Sequence, residues 1–251
     1  MVRLFLWFVF DDTSKWQQTW KQTPAWELAM AVKGQNTATI NKIAKAHPQL
    51  LNYQEPKDGR TLLMWAVGEE KYRSLDALLH CGANPNIAST SVGETALGQA
   101  ARYSWVDREC KQDPKYVKLL LQHGADPNLN YRGCSTHKDD VSRDGTEQGT
   151  SPLMESIGHG LEKTRALVEA GADINHKTIS GRTAAIQALL TASMSANDDK
   201  MEYAYYLIVE KKAKITEPYY RGELYALSDE NPHDKFYPVN LLKYWQPEIN
   251  S

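Results

Sequence analysis

Apolar pairs recur along the chain in a fixed frame. Each is followed by small or polar residues, then Gly-Ala, an acid or amide, and an asparagine two places on. The first copy reads Leu78-Leu79-His80-Cys81-Gly82-Ala83-Asn84-Pro85-Asn86, and the second Leu120-Leu121-Gln122-His123-Gly124-Ala125-Asp126-Pro127-Asn128. The third is Leu167-Val168-Glu169-Ala170-Gly171-Ala172-Asp173-Ile174-Asn175, and a decayed fourth is Leu207-Ile208-Val209-Glu210-Lys211-Lys212-Ala213-Lys214-Ile215. A second apolar block lies upstream of each: Thr61-Leu62-Leu63-Met64-Trp65-Ala66-Val67, Thr95-Ala96-Leu97-Gly98-Gln99-Ala100-Ala101, Ser151-Pro152-Leu153-Met154-Glu155-Ser156-Ile157 and Thr183-Ala184-Ala185-Ile186-Gln187-Ala188-Leu189. A glycine stands two places before each block, at Gly59, Gly93, Gly149 and Gly181. Two apolar blocks per unit, punctuated by glycine, predict a helix pair. A helix pair repeated at this interval predicts a solenoid, in which each unit buries its apolar face against the next.

The residue types at the punctuation have physical reasons. A Thr or Ser hydroxyl opening the first helix can accept a backbone N–H and cap it. Small residues such as Ala66, Ala100 and Ala101 let paired helices approach closely. Gly82, Gly124 and Gly171 suit the left-handed residue that ends a helix, and the Asn or Asp after them suits the turn. These residues are therefore scaffold. Lys212 stands where the fourth copy needs that glycine, so this copy is expected to be the weakest.

The two blocks together resemble the ankyrin repeat, whose signature is a Thr-Pro-Leu-His-x-Ala-Ala helix start, a Leu-Leu second helix and a Gly-Ala-Asp-x-Asn exit. The resemblance covers residues 23–216 and implies an all-α ankyrin-repeat solenoid with β-hairpin fingers, five repeats counting a degenerate first one. That first copy spans residues 23–52, with Trp26, Leu28 and Ala29 on one helical face and Ile40, Ile43 and Ala44 on the next. Residues 1–22 form an N-terminal segment, of which 11–22 read as a polar linker or first turn, and residues 217–251 form a capping tail. The chain departs from the family pattern at its histidine, replaced by Met64, Gly98, Met154 and Ile186, and only Pro24 and Pro152 keep the helix-start proline.

Composition narrows the function. The net charge is −2 and no basic stripe stands out, which argues against nucleic acid as a partner. Seven Trp and thirteen Tyr against four Phe favour half-buried, interface-like positions over a dry core. No glycine-rich phosphate loop, nucleophile elbow or paired-acid spacing is present, so the chain reads as a binding protein, with no enzyme activity, cofactor or metal expected. His80 and His123 sit near helix C-termini and read as structural. Of the three cysteines, Cys81 reads as a buried thiol; Cys110 and Cys134 lie in two insertions, and Cys134 with His137 lacks a second ligand pair for a metal. Met1-Val2-Arg3 followed by Leu4-Phe5-Leu6-Trp7-Phe8-Val9-Phe10 has the form of a short export signal or anchor remnant, and is too short to span a bilayer. A bacterial protein is expected, periplasmic or membrane-anchored if residues 1–12 are such a signal and otherwise cytoplasmic. Any membrane contact is expected through that segment alone.

Insertions break the period after Ala101, around residues 193–199 and between Asn128 and Ser151. In repeat proteins such insertions map to loops, often on the binding side. The last one lengthens the turn that projects as a finger. The ankyrin resemblance places partner contacts on the finger tips and the exposed ends of the first helices. Carried onto this chain, the candidates are Lys57, Asp58, Arg60, Glu69, Ser91, Glu94, Arg102, Tyr103, Glu147, Gln148, Thr150, His159 and Arg182, joined by Trp105, Tyr131, Arg132 and Arg143 at the insertions. The blocks around Trp26, Leu50-Leu51-Asn52-Tyr53 and Met64-Trp65 are similar to a bacterial ankyrin group resembling immunity proteins of type VI secretion phospholipase effectors. The resemblance implies a monomer whose partner is another protein, a cognate toxin. General scaffolds, host-directed effectors and structural envelope or stress proteins are the alternatives.

Overall fold

The computed structural model describes residues 13–103, 112–133, 146–193 and 201–215. The chain divides into two compact units, Met1–Asn84 and Pro85–Ser251.

The first unit carries helices α1 (Thr13–Trp20), α2 (Trp26–Lys33), α3 (Thr37–Ala46), α4 (Leu62–Gly68) and α5 (Tyr72–His80), with a 3-10 turn at Pro48–Asn52. Helix α2 pairs with α3 and α4 with α5; α2 then packs on α4 and α3 on α5. Leu28, Val32, Ile40, Leu62, Leu63, Met64, Leu75 and Leu78 fill the core between them. Ser74 at the start of α5 donates its hydroxyl to the Val32 carbonyl at 2.7 Å, tying one pair to the other. Residues 13–20 are a helix, where a polar linker or first turn was expected. Trp16 and Trp20 are four apart and so share one helical face, and both are completely buried.

The second unit holds α6 (Ala96–Arg102), α7 (Lys115–Gln122), α8 (Pro152–Ser156), α9 (Leu161–Glu169), α10 (Ala184–Ser193) and α11 (Met201–Ala204), which runs into a π-turn at Tyr205–Glu210. The first helices α6, α8 and α10 stack in order, as do the second helices α7, α9 and α11. The expected caps are in place. Thr95, Ser151 and Thr183 accept the N–H of Gly98, Met154 and Ile186 at 3.1, 3.2 and 3.3 Å, and Thr61 of the first unit accepts that of Met64.

The exits follow one plan. After α7 the Ala125 amide bonds to Leu120 O and the Gly124 amide to Leu121 O, and after α9 Ala172 bonds to Leu167 O and Gly171 to Val168 O. This is the paired-bond helix ending that needs a left-handed residue, and Gly124 and Gly171 have φ of 81° and 92°. The asparagine ending each motif then joins one repeat to the next. The Oδ1 of Asn86, Asn128 and Asn175 accepts the N–H of Asp126, Asp173 and Lys214 at 2.7–2.8 Å, and Nδ2 of Asn86 and Asn128 donates to the carbonyls of Gly124 and Gly171. In the fourth copy Leu207 and Ala213 are one residue further apart than Leu120 and Ala125. The extra residue is absorbed by the π-turn, and the exit bond becomes Ala213 to Leu207 O at 2.9 Å. Lys212 adopts the left-handed conformation without glycine, at φ 61°.

Fingers one, two and four are tighter than hairpins. All four fingers close with backbone bonds across the base: Glu55 to Arg60, Ser89 to Glu94, Tyr131 to Thr150 and Thr178 to Arg182. Among the described residues none of the fingers contains a strand; one closing pair leaves no room for a ladder. The long insertion therefore lies inside the third finger, between Tyr131 and Thr150, and the base pairing is kept. No described helix is long and apolar enough to cross a membrane.

Candidate protein-binding surface

In the first unit the first finger is organised by Glu55, a residue the sequence reading did not single out. Its buried carboxylate accepts the N–H groups of Lys57 at 2.7 Å, Asp58 at 2.9 Å and Arg60 at 3.1 Å. Gln54 adds a bond to the Gly59 carbonyl. An ionised carboxylate holding several amides is a strong, short-range clamp. It leaves Lys57 exposed at the tip, with Asp58 and Arg60 half-buried. The sequence signal was an acid four places before the finger glycine. Glu69, at the end of α4, forms an ion pair with Lys15 of α1 at 3.7 Å. His80 closes α5 as expected, its Nδ1 lying 2.9 Å from the Asp76 carbonyl. Cys81 is half-buried, 3.2 Å from Asn41 Oδ1, and burial pushes its thiol pKa up.

In the second unit the expected contact residues separate into two groups. Glu94, Arg102, Glu147 and Arg182 bond to one another or to backbone. Arg102 contacts Glu94, lies 3.9 Å from Glu155 and reaches Thr146 Oγ1 at 3.4 Å. The Glu147 carboxylate accepts the Ser180 N–H at 2.6 Å and Arg182 Nη2 at 2.9 Å. Thr150 supports Glu147 by donating its hydroxyl to the Glu147 carbonyl at 2.6 Å. The other group is the more open: Ser91, Tyr103 and Arg132 are exposed and Tyr131, Gln148 and His159 half-buried, whereas Glu147 and Thr150 are buried. Ile179 at the tip of the fourth finger is also exposed and was not expected as a contact. Trp105 and Arg143 lie outside the described residues, as do Cys110, Cys134, His137, residues 1–12 and residues 217–251.

Both limbs of the long finger are fastened to neighbours. On the outgoing limb the Arg132 N–H bonds to Val92 O at 3.1 Å, and its guanidinium reaches Ser89 O at 3.3 Å. Its side chain lies directly over Gly93, where an added Cβ would stand 2.7 Å from Arg132 Cβ. On the returning limb the Ile179 amide bonds to Gln148 O at 3.1 Å, beside the Glu147 clamp. His176 Nε2 lies 2.8 Å from the Gly149 carbonyl and 3.1 Å from the Asn130 amide group. Fingers two, three and four are thereby one ridge.

Lys163 is the second residue that sequence reading passed over. It sits on α9, is fully buried, and donates to Ala100 O at 3.1 Å and to Tyr103 O at the end of α6. A helix C-terminus is where a cation is favoured. Burial still pushes its pKa down to about 8, against the opposing charge of Asp113. Burial pushes the Asp113 carboxyl up, but the hydrogen bonds and charge of Lys115, with Lys163 beyond, leave it below the usual carboxylate range. The far end of this insertion is held by Gln112, whose side chain donates to Gly158 O at 3.3 Å. Tyr203 joins the same corner by accepting the Gly160 N–H at 2.8 Å. Tyr103 is thus presented from a fixed base.

The hollow between Glu94, Gly98, Tyr131, Pro152 and Glu155 encloses about 10 Å³, no more than one water needs, so this face offers relief rather than a ligand cavity. An open groove of about 590 Å³ runs along the first repeat past Trp26, Met30, Asn36 and Ile43.

A family model described as Ankyrin repeats (3 copies) matches residues 28–131 and 69–178. Among curated proteins the chain is similar to Protein PhlB of Serratia liquefaciens, 31% identical over 147 residues, covering 55% of this chain and 55% of that protein. It is also similar to Ankyrin repeat and SOCS box protein 6 of Homo sapiens, 30% identical over 148 residues, covering 59% of this chain and 30% of that protein. The chain thus spans about half or less of the length of these relatives.

Proposed function

The chain belongs to the ankyrin-repeat family, a general protein-interaction module, and we propose that it is a bacterial immunity protein that binds and neutralises a secreted antibacterial toxin of the type VI phospholipase class. The partner docks on the finger ridge and the exposed ends of the first helices. The observation that carries the binding reading is the long finger itself. An insertion tolerated only as surplus would not be tied to both neighbours, at Arg132 and at Glu147. Fixing the two limbs of a binding finger lowers the entropy cost of binding. The similarity to a Serratia protein supports a bacterial setting.

The ridge carries its charges largely in internal pairs, so affinity rests on the exposed side chains between them. Tyr103, Arg132 and Ile179 are the anchors, because interfaces concentrate energy in a few aromatic, Arg and apolar residues. Lys57 and other rim charges act on the association rate. The test is co-expression with the product of the neighbouring toxin gene. Protection of the cell together with a stable complex is the expected result. A complex without protection makes the chain a scaffold, and neither complex nor protection removes the immunity role.

A further inference from the structure

We propose that α1 is a built-in strap over the binding side of the first two repeats, which a partner segment must displace. The inference rests on the reading that partners approach the first helices. Helix α1 lies against α2, and its Trp side chains reach Trp65 of α4. The Trp16 ring centroid is 4.7 Å from that of Trp65, with planes at 66°. Trp20 stands edge-on to Trp65 at 6.0 Å and lies 6.3 Å from Tyr53, beside the first finger. Lys15 meets Glu69 at the end of α4. Helices α2 and α4 are the first helices of their repeats, so the side offered to a partner by the scaffold is here occupied by the chain itself.

The strap fits incompletely. The indole N–H groups of Trp16, Trp20 and Trp65 are all buried and have no acceptor among the described residues. A buried indole N–H ordinarily finds one, and an unmade bond there costs the full desolvation of the donor. Release of α1 carries the Trp16 and Trp20 donors into water, and leaves the Trp65 indole N–H on α4 for another occupant to pair. That occupant is a protein segment presenting apolar side chains together with carbonyl or carboxylate acceptors. Helix α1 is held at few points. Its eight described residues are too few for a helix to persist alone, and Gln17 and Gln18 face solvent, while Trp16, Trp20 and the Lys15–Glu69 ion pair anchor it. Segments that open for ligands come from this low-stability end of a structure. Closure lowers a partner's apparent affinity by the fraction of molecules open.

Native-state hydrogen exchange on the full chain tests the strap directly. The amides of α1 should exchange at least tenfold faster than those of α4 and α5, through an opening insensitive to low denaturant. Lys15→Glu, which sets like charges against Glu69, should raise exchange in α1 several-fold and leave α5 unchanged. If α1 instead exchanges only with global unfolding, or if Lys15→Glu accelerates α1 and α5 equally, α1 is an integral cap and the proposal falls. A second experiment uses the full chain carrying Trp16→Ala and Trp20→Ala, titrated with a synthetic peptide of residues 13–22. Saturable binding by a variant that keeps its helical circular dichroism supports the strap; loss of fold, or no binding, overturns it. Neither experiment needs the partner, so failure of the toxin assay and failure of the strap are separate results.

Discussion

The first finger and the long finger solve the same problem in opposite ways. Finger one closes on itself: Glu55 satisfies three amides within its own turn. The long finger borrows its order, with Arg132 bonding to the second finger and Glu147 to the fourth. A turn clamped from within takes its shape from its own residues. A shared one transmits a change along the ridge, which suits a surface that must keep several contact points in register for a partner. The difference also separates local from tertiary information, because the Glu55 clamp can be understood from contiguous residues and the long finger's bonds cannot.

The largest expected effect concerns another shared contact, Lys163. Its folded pKa of about 8 lies below the ordinary 10.5. Below pH 8 both states hold the proton and the folded state carries the burial penalty. Between 8 and 10.5 the unfolded chain binds a proton that the folded chain has lost, so stability rises with pH, by up to about 3 kcal/mol. Denaturant melts of the wild type and Lys163→Met at pH 7.5 and 10 check this, and the variant should lack that increment. A rise of equal size in both proteins would assign it to other groups.

The self-contained finger comes next. Glu55→Ala should cost about 2–3 kcal/mol, since it strips a carboxylate from three backbone donors. Its cost should add to that of Arg132→Ala, because the two share no partner. Non-additivity in the double variant would show that finger one is not closed on itself. On the ridge, Glu147→Ala should cost about 2 kcal/mol, with a coupling of about 1 kcal/mol to Arg182→Ala in a double-mutant cycle. Hydrogen exchange in this variant should quicken at Ile179 and Ser180 as well as in the long finger. Confinement of the change to residues 146–150 would make the long finger as independent as the first.

The smallest effect sharpens a second contrast, between exits that have glycine and the one that does not. Lys212→Gly should stabilise by about 1 kcal/mol, by relieving a side chain held at positive φ. The gain in thermal midpoint should be absent from Gly124→Ala, which instead loses stability because Gly124 sits at φ 81°. The added methyl meets no atom within 4 Å, so its cost is backbone strain alone.

Helix pairs, caps and exits were legible because each is decided by residues close in sequence. A Thr before an apolar block accepts an amide three residues on, and a glycine after a Leu pair takes a left-handed turn whatever lies elsewhere. The anomaly at Lys212 was legible for the same reason, although the sequence did not show that a π-turn absorbs its extra residue. The sequence offered candidate contacts as a list of positions on fingers and helix ends, of which Glu147 and Thr150 turn out buried. What the list could not show was which charges are already engaged. Arg102 and Glu94 are eight residues apart, Glu147 and Arg182 thirty-five, and Lys163 stands sixty residues from the carbonyl of Tyr103. Likewise, nothing within residues 13–20 indicates that Trp16 and Trp20 would bury against Trp65. Local conformational preference and apolar period determined the repeats. Long-range packing, which brings distant polar groups within bonding distance as the apolar faces close, decided which side chains are struts and which face solvent.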